Sequence, residues 1–219
     1  MIRFLDEWYV SNDVAILCGG SGLYIDAVCR GIDDLPDIDP GVRQKIKEIY
    51  KQAGLQGLKE RLLEVDPVYY EKVDLNNPHR IMKAIEVYEM TGRPYTSLLT
   101  GQAKERIFQV TKYVLDLPRP ELHERINHRV DEMMRRGLLE EAVSLYPYRY
   151  HNALKAVGYK ELFEYIEGRC TLEHAIGKIK DHTRQYARRQ LTWFRRDPSM
   201  HWLDTTPSGW GYPVGVVGG

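Results

Sequence analysis

The apolar positions of this 219-residue chain change period several times, and each change marks an element. Over residues 2–10 (IRFLDEWYV), Ile2, Leu5, Trp8 and Tyr9 recur at a spacing that puts them on one side of a helix. Residues 14–20 (VAILCGG) are a short unbroken apolar run ending in a glycine pair, the pattern of a buried parallel strand entering a loop. SGLYIDAVCRG continues as a helix that stops near Gly31. Strand, glycine loop and helix in succession are an α/β signature.

The segment Leu35–Pro40 (LPDIDP) breaks this pattern, with Asp39 suited to cap a helix and Pro40 to open one. From Pro40 to about Gly101 the periodicity is helical throughout, with no convincing strand. VRQKIKEIYKQ, LQGLKERLLEV and RIMKAIEVYEM carry apolar residues three and four apart, punctuated by Gly54, Asp66-Pro67, Asn77-Pro78 and Gly92. QVTKYVLDL (109–117) alternates and is β-branched, so it predicts a return to the sheet. Then come a long amphipathic helix over 120–146 with a bend near Gly137, and a helix over 152–168 opened near Gly158. A basic helix starts at Thr171 as N-cap, and HWLD (201–204) reads as a last short strand. The expected organisation is 1–35 as part of an α/β core, 36–107 as a helical insertion, 108–204 as the rest of the core, and 205–219 as a loose tail.

Composition adds little to this and charge placement adds more. At 43% hydrophobic and 28% charged, the chain matches an ordinary globular protein. It has no apolar run of membrane-spanning length and no basic-then-apolar leader, so no membrane partner and a cytoplasmic location are expected. Three cysteines with wide spacing, and no C-x-x-C or H-E-x-x-H, argue against a zinc site or disulfide framework. Lys+Arg and Asp+Glu both count 31, which leaves whole-chain charge silent on nucleic acid. Yet Lys178, Lys180, Arg184, Arg188, Arg189, Arg195 and Arg196 are accompanied in their stretch by a single acid, Asp181, the mark of an anionic partner.

Four constellations carry candidate chemistry. Gly19-Gly20-Ser21-Gly22 follows the apolar run, where glycines admit a close ligand and the N–H groups of a helix start favour an anion. A tight strand-to-helix turn explains it equally well, since Ile25 and Leu23 exclude the dinucleotide and nucleophile-elbow motifs. In Asn77-Pro78-His79-Arg80-Ile81-Met82-Lys83, Arg80 and Lys83 share a helix face and could grip phosphates, or be a solvated helix start. Lys155 to Lys160 places Gly158-Tyr159 between two lysines, which fits a base-stacking aromatic or a buried tyrosine at a helix opening. In the basic helix, Arg184, Arg188 and Arg195 form one stripe. Gln185, Arg189, Thr192 and Arg196 form the next, and Ile176, Ile179, Tyr186, Ala187 and Phe194 face the core. A membrane-surface or protein-partner helix is the alternative there.

These constellations, in this order, resemble the tRNA dimethylallyltransferase (isopentenyltransferase) family. The matching stretches are CGGSGLYIDAV, the D-x-D-P-x-V-R of Asp37–Arg43, NNPHRIMKAIEVYEMTGRP, LHERINHRVDEMMRRGLLEE, ALKAVGYKEL, and RQYARRQLTWFRRD with HWLD. The resemblance implies an α/β fold: a three-layer core like that of P-loop kinases, incomplete here, with an all-helical insertion that grips the tRNA anticodon stem-loop. It implies transfer of a dimethylallyl group from its diphosphate to the exocyclic amine of the adenosine 3′ of the anticodon, with Mg2+ assisting the diphosphate, nucleotide (ATP) binding, and a monomeric intact enzyme. By position Ser21 matches the loop hydroxyl at the reaction channel, where the family more often has Thr. Gly19, Gly20, Arg125 and Arg129 fall where the diphosphate is expected. Arg43, His79, Arg80, Ile81, Met82, Lys83, Lys155, Gly158, Tyr159 and Lys160 match tRNA-contacting segments. So do Arg184, Arg188, Arg189, Gln190, Thr192, Trp193 and Arg195.

The sequence departs from the family in one respect. The family's G-x-x-x-x-G-K-[ST] loop, and the Asp-Ser segment whose Asp takes the amine proton, have no counterpart in these 219 residues. The expectation is an N-terminally truncated chain that holds no metal ligands of its own. Such a chain would bind RNA weakly, turn over poorly or act only as an anticodon-arm binding piece, and be prone to self-association through an unpaired sheet edge.

Overall fold

A computed structural model describes residues 1–205, which fold as two compact units. The first comprises residues 1–16 and 23–108, and the second comprises residues 17–22 and those from 109 onward.

In the first unit, α1 (Ile2–Trp8) buries Leu5. α2 (Gly22–Cys29), whose first residue belongs to the second unit, ends on a guanidinium. Arg106 donates Nε to Val28 O at 2.8 Å and Nη2 to Ala27 O at 3.1 Å, satisfying carbonyls that the helix end leaves unpaired. Asp39 caps α3 (Pro40–Val65) by accepting from the N–H groups of Gly41 and Val42. Gly54 interrupts α3 at φ 64°, ψ −159°, a region essentially reserved for glycine, so α3 is two helices meeting at a kink. α4 (Pro67–Tyr70), α5 (Pro78–Thr91) and α6 (Tyr95–Leu98) follow. Ile46, Leu58, Leu62 and Val65 of α3 pack on Ile81, Met82, Ala84 and Ile85 of α5 as one core. Buried Asp66 accepts from Tyr69 N, Thr96 N and Thr96 Oγ1, fastening α4 to α6.

The second unit opens with β1 (Lys112–Asp116), then α7 (Arg119–Arg135) and α8 (Leu138–Leu145), which separate at Gly137. α9 (Tyr159–Ile166) and α10 (Leu172–Phe194) follow, then β2 (Met200–Asp204). Val130, Leu138, Ala142, Leu162, Phe163, Ala175 and Ile179 join α7 to α10 in a second core. β2 lies parallel to β1 with Lys112 opposite Met200 and Asp116 opposite Asp204. Lys112 Nζ meets Asp197 Oδ2 at 2.7 Å, with both side chains about nine-tenths buried.

The protein is thus a helix-rich α/β chain with a small parallel sheet. Residues 14–20 form no strand, which corrects the expectation from their apolar run. A parallel strand exists only through a ladder, and among the described residues the one ladder is β1–β2. Val14 and Ile16 are accordingly 69% and 85% exposed rather than buried. Of the tail expected to be loose, residues 206–219 lie outside the described residues.

Candidate substrate-binding site

The glycine-rich loop is seated on the basic helix. Gln190 Nε2 of α10 donates to Gly20 O at 2.6 Å. A Cβ at Gly20 would collide with the Gln190 amide, and one at Gly22 with the Trp193 indole, so close approach makes both positions glycine. Gly19 faces open space, and the half-buried Ser21 hydroxyl has no hydrogen-bond partner among the described residues. A hydroxyl held by a fixed backbone and left unspent can meet a ligand. Gln190 and Trp193, matched above to tRNA-contacting positions, here hold the loop in place.

α10 starts as expected, with Thr171 Oγ1 accepting from His174 N, and it buries Ala175, Ile179 and Phe194. Tyr186 is a correction: it is 45% exposed, with the Arg189 guanidinium 5.9 Å above its ring. The stretch itself offers a single acid, Asp181, but acids on neighbouring helices also engage its charges. Lys178 meets Glu164 at 3.0 Å, and Lys180 meets Asp131 at 2.6 Å. Arg184 donates to Asn127 Oδ1 at 2.5 Å and pairs with Asp181. These partners come mostly from α7 and α9, so three of the seven cations fasten helices together. Arg195 and Arg196 lie over the Trp202 and Trp193 rings. Arg188 and Arg189 are exposed and have no ion-pair partner among the described residues. Arg125 and Arg129, four apart on α7, are in the same condition. Thr192 Oγ1 donates to Arg188 O.

At the opening of α9, the Glu161 side chain does what the sequence did not disclose. It is 2% exposed, Oε2 accepts from Gly158 N at 2.8 Å, and Oε1 lies 2.6 Å from His182 Nδ1 of α10. The signal was present: a glutamate three residues after Gly158 is a capping-box position. Of the two readings of Tyr159, the structure matches a tyrosine packed at a helix opening. Its hydroxyl donates to Glu141 at 2.6 Å and its ring stacks on Phe163 in the core. The bond to Glu141, helped by burial, pushes its phenol up. Lys155 reaches Asn152, while Lys160 is exposed.

In the first unit, Asn77 caps α5 and leaves His79 and Arg80 exposed, with Lys83 half-buried. Ile81 and Met82 are corrections: at 0% and 9% exposure they are core residues, and their side chains are spent on α3. Arg43 Nε lies 3.7 Å from Oε1 of buried Glu86, a carboxylate that the helical pattern had hidden among apolar neighbours. Among the described residues no three His, Cys, Asp or Glu side chains are grouped to hold a metal ion.

A glycine loop is thus pinned on a helix rich in cations, an arrangement in which loop N–H groups and guanidinium groups can meet an anion. The chain belongs to the IPP transferase family, whose model matches residues 2–197. Over 199 residues it is 51% identical to tRNA dimethylallyltransferase 1 of Phocaeicola vulgatus, covering 91% of this chain and 66% of that protein. Over 203 residues it is 48% identical to tRNA dimethylallyltransferase 2 of Parabacteroides distasonis, covering 93% and 68% respectively. The chain therefore spans about two thirds of the length of these relatives. The tRNA isopentenylpyrophosphate transferase of Bacillus halodurans superposes with a TM-score of 0.58 at 33% identity, over 93% of this chain and 64% of that one. A eukaryotic dimethylallyltransferase acting on tRNA shares the fold, with a TM-score of 0.71 at 23% identity, over 95% and 55%.

Proposed function

We propose that the chain carries out its part of dimethylallyl transfer to tRNA. The exocyclic amine of an adenosine forms a bond to the allylic carbon, the carbon–oxygen bond to diphosphate breaks, and the amine loses a proton to a base. The observation that supports this best is the Gly19–Gly22 loop on Gln190 and Trp193, with the Ser21 hydroxyl unspent.

Each step asks for something these residues can give. An aromatic amine is a weak nucleophile, so its base must be held out of the stack and aligned with the carbon. Ser21 can accept a hydrogen bond from that amine or donate one to the departing diphosphate. Charge growing on the diphosphate draws on loop N–H groups and on Arg125 and Arg129. Arg188, Arg189, Lys160, His79, Arg80 and Lys83 supply contacts to the RNA backbone. A Mg2+ ion in this reading would ride on the diphosphate oxygens and ease the departure of that group. In this reading β1, β2 and α7–α10 are part of a three-layer core like that of P-loop kinases. Residues 36–107 are the insertion on the anticodon stem, and the protein works in the cytoplasm.

A second reading rests on the absence of G-x-x-x-x-G-K-[ST] from the 219 residues: an anticodon-arm binding piece without turnover. Incubation with labelled dimethylallyl diphosphate, unmodified tRNA and Mg2+ separates the two. Incorporation into tRNA supports transfer, and salt-sensitive tRNA binding without incorporation supports the binding piece. Neither incorporation nor binding would remove both.

A further inference from the structure

Between α8 and α9 the chain runs Tyr146-Pro147-Tyr148-Arg149-Tyr150-His151, a stretch that no matched motif covers. Its rings form a stack that starts in the core and ends in the open. Phe163, buried, meets Tyr146 edge-on at 5.6 Å. The Arg149 guanidinium lies 4.3 Å from the Tyr146 ring centre and 4.4 Å from that of Tyr150. It is held there by bonds to Tyr146 O at 3.2 Å and to the Tyr150 hydroxyl at 2.9 Å. Glu167 lies 3.8 Å from Arg149 Nε and accepts from the Tyr146 hydroxyl, fixing the base of the stack. Tyr150, at the outer end, is 75% exposed, and Tyr148 beside it is 58% exposed with its ring against His151.

We propose that Tyr150, braced by Arg149 and flanked by Tyr148, is a stacking platform for an unpaired nucleobase of the bound RNA. The inference rests on the RNA-binding reading above and adds a site to it. A ring with a guanidinium over it and its hydroxyl bonded is restrained before binding, so a base that lands on it orders less that is new. Stacking on an aromatic tolerates any base, since every base has a flat π face. The surroundings favour RNA over an apolar protein surface. Lys155 and Lys160 follow Tyr150 within ten residues of sequence and are exposed, and the exposed rings carry hydroxyls that an apolar partner would leave unpaired.

The test is binding of an anticodon-arm hairpin carrying 2-aminopurine in its unpaired loop, measured for the 219-residue chain and for Tyr150→Ala and Tyr150→Phe. Tyr150→Ala should weaken binding about tenfold and relieve the quenching of 2-aminopurine. Tyr150→Phe should keep both. Neither should change the slope of affinity against salt, because no phosphate contact is removed. Wild-type affinity in Tyr150→Ala, with the salt-sensitive binding itself intact, overturns the platform and leaves the RNA reading standing. No binding by the unaltered chain overturns both. Circular dichroism of the two variants should match the unaltered chain, since the substituted ring is largely in solvent.

Discussion

Gln190 on α10 holds the carbonyl oxygen of Gly20 at 2.6 Å, joining positions 170 apart in sequence. This one bond makes the position of the Ser21 hydroxyl depend on the basic helix. Gln190→Ala should release the loop and speed amide exchange at Ser21 and Gly22 about tenfold or more, while exchange in the α7–α10 core stays unchanged. Gly20→Ala should do the same by a different route, because its methyl would displace the Gln190 amide. Mass-resolved hydrogen exchange reads both, and protection equal to wild type would remove the anchoring role.

Lys112 and Asp197 form the buried ion pair behind the two strands. The hydrogen bond from Lys112, followed by those from Ser199, holds the Asp197 carboxyl well below the usual carboxylate range. A carboxyl depressed in the fold contributes stability above its unfolded value of about 4, and loses it as pH falls toward the native one. The urea midpoint of the wild type should therefore drop more steeply between about pH 5 and pH 2 than that of Asp197→Asn. At neutral pH Asp197→Asn should cost about 3 kcal/mol, because it leaves the Lys112 ammonium buried and unpaired. Parallel pH slopes for the two proteins would contradict this account.

Arg184 and Arg188, one turn apart on α10, should separate two kinds of loss. Arg188 is exposed without an ion-pair partner among the described residues, so Arg188→Ala should lower tRNA affinity and reduce the salt slope by about one, with stability unchanged. Arg184 bonds Asn127 and Asp181, so Arg184→Ala should lower the unfolding midpoint first. Titrations at several salt concentrations, paired with urea melts, distinguish them. Equal effects of the two substitutions on stability would show that Arg184 is not the helix fastener described.

What the sequence disclosed well was local. Asp39-Pro40, Asn77-Pro78 and Thr171 each opened the helix their capping chemistry predicts, and β1 and β2 fell on the two β-patterned runs. What it hid depends on distant partners. VAILCGG has the composition of a buried strand, but pairing is a property of two segments, and none pairs with it among the described residues. The cations of α10 looked uniformly available, because Asp131, Asn127 and Glu164, which engage three of them, sit on other helices. In the site itself, the loop, Arg188 and Arg189 were legible as candidates. The burial of Ile81 and Met82 was not, since a motif read as a string gives every letter the same access to ligand.

The two strands of the sheet also set an order of events during synthesis. β1 leaves the ribosome long before β2, and all of α7 to α10 must be made in between. Throughout that interval Lys112 of β1 waits for the carboxylate of Asp197, its buried partner in the finished fold, which has not yet been translated. A nascent chain arrested before Asp197 would hold every helix named here and still lack the β1–β2 pairing. The ion pair and the strand pairing therefore close together, at the end of synthesis of the described residues.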